Sequence, residues 1–155
     1  ELIPPRDVNS PSSPDDAVLR AVKRFYNLGF KPEWWKLAPM ASPSWALLAA
    51  LIAERDPPCR GVVILGLNQP LDVLVQGFQQ ATHPIVKGFM VGRTLWAGPS
   101  LRWLKGEIDD DALIDEAARN FATLVEAWRA SRPAAAHGTR NGPGNDPETR
   151  LEHMA

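Results

Sequence analysis

A parallel α/β fold, the second half of an eight-stranded (β/α)8 TIM barrel, is what this sequence predicts. Three observations carry that reading. Short apolar runs alternate with amphipathic helical patterns across residues 1–131, and regular strand–helix alternation builds a parallel sheet. Two of the runs end in glycine-bearing turns, Leu-Gly-Leu-Asn at 65–68 and Val-Gly-Arg at 91–93. Barrels place their chemistry at such C-terminal strand ends. The third observation is Glu1-Leu-Ile-Pro-Pro5, which reads as the end of a strand whose beginning is missing. A full barrel takes roughly 250 residues, so a 155-residue chain starting at Glu rather than Met is expected to be a piece of something longer.

The elements follow in order. Residues 6–14 form a polar loop. Ser13-Pro14-Asp15-Asp16 then opens a helix with a cap, a proline in the first turn and acids at the positive end of the dipole. Val18, Leu19, Val22, Phe25 and Tyr26 fall at helical spacing, and Gly29 ends the run. Trp34 to Ala38 is a short strand closed by Pro39. Ser42-Pro43-Ser44 begins a second helix with Trp45, Leu48, Leu51 and Ile52 on its apolar face, and Asp56-Pro57-Pro58 breaks it. Gly61 to Gly66 is a continuous apolar run, as suits a parallel strand covered on both faces. A third helix spans about Pro70 to Gln80, and a strand follows from Ile85 to Val91. Gly98 to Lys105 reads as a short helix. Asp109 to Arg129 reads as a long one, burying Leu113, Ile114, Ala117, Phe121, Leu124, Val125 and Trp128. From Arg132 to Ala155, proline, glycine, asparagine and alanine predict a disordered tail.

Composition narrows the function classes. With 17 basic and 18 acidic residues, scattered rather than clustered, the chain presents no nucleic-acid or polybasic membrane surface. Its apolar runs are too short to span a bilayer, and no signal segment precedes them. One cysteine, Cys59, allows no internal disulfide, so the cytoplasm is the expected compartment. His83, His137 and His153 each stand alone without metal-ligand spacing, and no cofactor is expected. The six tryptophans, Trp34, Trp35, Trp45, Trp96, Trp103 and Trp128, read as packing residues.

Four strand ends are left to carry chemistry. They offer Glu1, Lys36, Gly66-Leu67-Asn68 and Gly92-Arg93. Lysine inside the apolar Trp34-Trp35-Lys36-Leu37 costs energy unless its charge is relieved or used, and a desolvated amine attacks ketones. Glycine lets a backbone approach phosphate oxygens, and arginine supplies fixed planar donors. Lys87 also sits in a strand, but roughly 20 Å from Arg93 at about 3.3 Å per residue. It therefore falls toward the opposite mouth and reads as structural. A half barrel leaves two open sheet edges, so a homodimer is expected.

Three stretches resemble a known domain: Tyr26 to Leu37, Asp56 to Leu67, and Val86 to Thr94. Over about residues 1–131 the chain resembles strands five to eight of an aldolase-like barrel of unknown function. That domain is fused behind the sugar kinase of bacterial myo-inositol breakdown, 5-dehydro-2-deoxygluconokinase. More distantly the strand ends look like class I aldolases. The resemblance implies a Schiff-base lysine at Lys36, a glutamate at or near Glu1, and phosphate binding by Gly66, Leu67, Asn68, Gly92 and Arg93. It implies a lyase that cleaves 2-deoxy-5-keto-gluconate 6-phosphate, a phosphorylated sugar acid, to dihydroxyacetone phosphate and malonate semialdehyde without a metal. Ala38 stands where relatives usually carry glutamate, which favours an alternative: a non-catalytic module that binds a sugar phosphate and supports the attached kinase. No phosphoryl-transfer loop occurs in these residues.

Overall fold

The computed structural model describes residues 1–3 and 13–132. Five helices, α1 (Pro14–Asn27), α2 (Ser42–Arg55), α3 (Leu71–Gln80), α4 (Arg93–Leu104) and α5 (Asp110–Ala130), accompany three strands, β1 (Trp34–Leu37), β2 (Gly61–Leu65) and β3 (Val86–Met90). The strands form one parallel sheet in the order β1-β2-β3. This is a mixed α/β arrangement with the predicted parallel pairing. Glu1 to Ile3 is extended rather than part of the ladder, yet Leu2 N–H donates to Lys36 O at 3.0 Å, along the free edge of β1. Residues 4 and 5 of the predicted first strand lie outside the described residues, as do His137, His153 and the tail beyond Arg132.

Helix starts follow local chemistry. Ser13 Oγ accepts from Asp16 N–H at the head of α1, and Asp109 Oδ1 accepts from Ala112 N–H at the head of α5. α2 has no capping side chain of its own. Instead Asp15 of α1 accepts from Ala41 N–H at 2.9 Å and from Ser44 Oγ–H at 2.7 Å, which ties the two helix ends together.

The helices cover one face of the sheet. Alternation along the strands sends Trp35, Leu37, Val62, Ile64 and Val86 into a core with Val18, Val22, Trp45, Leu48, Leu74, Phe78 and Leu124. Burying such a side chain contributes about 1.5–3 kcal/mol. Phe78 and Phe89 stack at 5.0 Å between ring centroids, and Trp128 meets Phe78 edge-on at 5.5 Å.

Three expectations need correction. The short fourth helix starts at Arg93, not Gly98. Pro99 sits inside it and has no N–H to offer Leu95 O. That carbonyl instead accepts from Asn120 Nδ2 of α5 at 2.7 Å, so the helix runs through the proline. On α5 only Leu124 is fully buried, whereas Ile114 and Phe121 are exposed, because α4 and α3 cover a narrow stripe of this helix. Among the tryptophans, Trp35 and Trp45 are buried, but Trp34, Trp96 and Trp103 lie open to solvent. At the end of α5, Arg132 stacks its guanidinium 3.7 Å over the Trp128 ring, and burial lowers its pKa.

Candidate functional site

The C-terminal ends of the strands gather most of the residues singled out by sequence. Lys36 is the penultimate residue of β1 and lies level with Val63 and Gly88 in the register. Its Nζ is 3.0 Å from Glu1 Oε2. The extended Glu1–Ile3 segment thus delivers a carboxylate to the amine across 35 residues of sequence. The Lys36 side chain is 26% exposed. The pair therefore has both reach and solvent access.

Beyond β2 the chain makes a tight turn in which Gln69 N–H donates to Gly66 O at 2.9 Å. Both central residues take positive φ, Leu67 at 51° and Asn68 at 59°. That sign pattern is the one a mirror-image type I′ turn requires. Asparagine tolerates it; a leucine there costs roughly 1–2 kcal/mol. Strain of this kind persists where the surroundings over-determine the backbone.

Gly66 is sterically required. A Cβ there would lie 2.8 Å from Thr94 Oγ1 and 3.0 Å from Val91 Cγ1. The turn after β2 and the start of α4 therefore touch. Gly92 caps α4, and Leu95 N–H donates back to Gly92 O at 2.8 Å. A Cβ on Gly92 would meet nothing closer than Trp96 Nε1 at 3.6 Å, so packing alone does not demand glycine there. Arg93 begins the helix rather than ending the strand. Its side chain is exposed and makes no salt bridge among the described residues.

Sequence reasoning overlooked Thr94. Its Oγ1 is buried without a hydrogen-bond partner, beside Gly66 and in the first turn of α4, where backbone N–H groups lack intrahelical acceptors. The signal was available: a hydroxyl directly after Gly-Arg, facing a glycine at the end of the neighbouring strand. Together the turn, the helix N-terminus, Arg93 and Thr94 present donors and positive potential suited to an anion.

Other candidates fall elsewhere. The Lys87 side chain passes over Gly61 at the opposite end of the sheet. His83 Nδ1 accepts from Ile85 N–H and orders the approach to β3. Among the described residues no group of three or more His, Cys, Asp or Glu could hold a metal ion. No helix among them is long and apolar enough to cross a membrane.

Fold and site define an α/β protein that brings Lys36, Glu1 and Arg93 to the C-terminal side of a parallel sheet. The chain belongs to the family described as "Uncharacterized protein conserved in bacteria (DUF2090)", which matches residues 1–132. No curated protein and no solved structure matches it.

Proposed function

We propose that this chain is the second half of an aldolase-type TIM barrel and carries the sugar-phosphate lyase chemistry of a class I aldolase. The Lys36–Glu1 pair at 3.0 Å is the observation that carries the reading. A nucleophilic amine must lose a proton, and a carboxylate in hydrogen-bond reach is placed to take it. Lys36 Nζ then attacks the C5 ketone of 2-deoxy-5-keto-gluconate 6-phosphate, and loss of water leaves an iminium. Removal of the C3 hydroxyl proton breaks the C3–C4 bond and sends its electron pair into the iminium. Malonate semialdehyde departs. Protonation of the enamine and hydrolysis release dihydroxyacetone phosphate and regenerate the amine.

Phosphate is held, in this reading, by the Gly66–Asn68 turn, the Gly92–Arg93 helix start and the Thr94 hydroxyl. Anchoring it there fixes the ketone relative to Lys36. The parent would be a cytoplasmic fusion with a 5-dehydro-2-deoxygluconokinase. Ala38, directly after β1, supports a second reading in which the same strand ends bind the sugar phosphate without turning it over and steady the kinase.

Borohydride trapping with dihydroxyacetone phosphate, read by intact mass and peptide mapping, separates the two. A covalent adduct on Lys36, absent in Lys36→Met, establishes the Schiff base. Phosphate-ligand binding without an adduct, lost in Arg93→Ala, selects the binding module.

A further inference from the structure

We propose that Trp96 contacts the substrate phosphate, its indole N–H donating to the anion held at the start of α4, and that Gly92 is glycine to keep the approach to that donor open. The inference rests on the anion-binding part of the reading above but not on the lyase chemistry.

The tryptophans differ in what their indole N–H groups do. Trp35 donates to Tyr26 Oη at 2.8 Å, Trp45 to Met40 O at 3.0 Å and Trp103 to Asp110 Oδ1 at 2.7 Å. Trp96 Nε1–H has no acceptor among the described residues, and the side chain is 46% exposed. Trp34 and Trp128 lack one too, but they lie elsewhere. Trp34 opens β1 at the other end of the sheet, and Trp128 packs against Phe78 and Phe89. An indole N–H is a donor only, so what completes it must bring an acceptor oxygen.

Its position selects the acceptor. Trp96 follows the N-cap Gly92 by four residues and Arg93 by three, spacings that make neighbours on a helix surface. A Cβ on Gly92 would lie 3.6 Å from Trp96 Nε1. A hydrogen-bonded oxygen sits at about 2.9 Å, so a side chain at position 92 would crowd the same space. Gly66 is glycine because Thr94 and Val91 leave no room; no such clash explains Gly92. This relation is set within α4 alone.

The surrounding groups are also donors. Arg93 makes no salt bridge among the described residues, and Thr94 Oγ1 is buried without a partner. Backbone N–H groups of the first turn add to them. Asn120 Nδ2 donates to Leu95 O at 2.7 Å and holds this turn against α5. A phosphate monoester has three terminal oxygens to share among such donors, which assigns Trp96 to the phosphate end of the substrate rather than to its ketone.

Fluorine NMR of the full chain labelled with 5-fluorotryptophan tests this, with Trp96→Phe assigning the signal. Dihydroxyacetone phosphate is expected to shift the Trp96 signal, and dihydroxyacetone without the phosphate to leave it in place. In calorimetry Trp96→Phe and Gly92→Ala should each weaken binding at least about tenfold, as loss of a hydrogen bond to a charged group does. The double variant should be no weaker than the weaker single one, because both act on one contact. An unmoved Trp96 signal, with binding still lost in Arg93→Ala, overturns the Trp96 contact and leaves the anion site standing. An equal shift with dihydroxyacetone makes the ring a stacking surface and overturns its role as donor. Additive losses overturn the link between Gly92 and Trp96. Absence of any binding removes the anion site and this inference together, while borohydride trapping still judges Lys36. The titration uses the unsubstituted sequence, so it decides even where Gly92→Ala fails to fold.

Discussion

The two ends of the sheet are built on opposite principles. At the N-terminal end polar groups are sealed in: Trp35 Nε1–H donates to Tyr26 Oη at 2.8 Å, Cys59 Sγ lies by Glu33 O and Gly61 O, and Asp56 is 3% exposed. Burial pushes the Tyr26 hydroxyl up to about 12 and raises the Cys59 thiol as well. At the C-terminal end Lys36, Asn68 and Arg93 reach solvent, and the cost appears in the backbone, at Leu67 and Asn68. Perturbed titration here records packing at the N-terminal end, whereas the positive φ of Leu67 and Asn68 and the exposed Arg93 guanidinium lie at the C-terminal end.

The largest effect expected from breaking this contrast is at Gly61. Its φ of +131° and a Cβ position 2.6 Å from Ile85 O leave no room for a side chain. Gly61→Ala should cost about 3 kcal/mol, measured by urea denaturation. A loss below about 1 kcal/mol would mean that the N-terminal end is not held as rigidly as the geometry indicates.

Tyr26→Phe comes next. It leaves the buried Trp35 indole N–H without an acceptor, at a cost of about 1–3 kcal/mol. It also carries a pH signature. Because the folded-state value is raised from 10.0 to about 12, the unionised phenol's contribution is fully present below pH 10. It is lost as pH rises through 12, since the native state holds a proton that the unfolded chain has released. Thermal melts from pH 9 to 12 should fall more steeply for the parent than for Tyr26→Phe, measured in a Cys59→Ser background to remove the thiol. Parallel profiles would sink the assignment.

Asn120→Leu tests the open end. It removes the donor to Leu95 O, the carbonyl that Pro99 leaves unpaired. The expected cost is about 1–2 kcal/mol, with hydrogen exchange increasing most in α4. Uniform exchange across the chain would show that the amide does not support that helix specifically.

Much of this arrangement could be read in advance, and the failures share one cause. The strands were legible because short apolar runs sit between turn residues, and the caps of α1 and α5 because Ser13 and Asp109 satisfy donors within three residues. The α4 start was not, since Gly98-Pro99 looks like a beginning until Asn120 arrives from another helix. Lys36 and Gly66 could be placed at strand ends by counting, but Arg93 opens α4 and Thr94 carries no pattern of its own. The exposure of Ile114 and Phe121 likewise depends on how much of α5 its neighbours cover. In each case the deciding partner is distant in sequence, beyond the reach of local periodicity.

The smallest expected effect is also the most discriminating. Leu67 holds a left-handed backbone that glycine adopts freely. Relief of that strain, set against the added entropy of the unfolded chain, gives Leu67→Gly a net stabilisation of at most about 1 kcal/mol. If the turn is fixed in advance to meet a phosphate, the variant gains thermal stability while its affinity for dihydroxyacetone phosphate in calorimetry drops, because the donors must now be ordered on binding. A gain in stability with unchanged affinity would make the strain a by-product of packing between Gly66 and Thr94. A loss of stability would mean that the leucine side chain contributes more to the fold than its backbone costs.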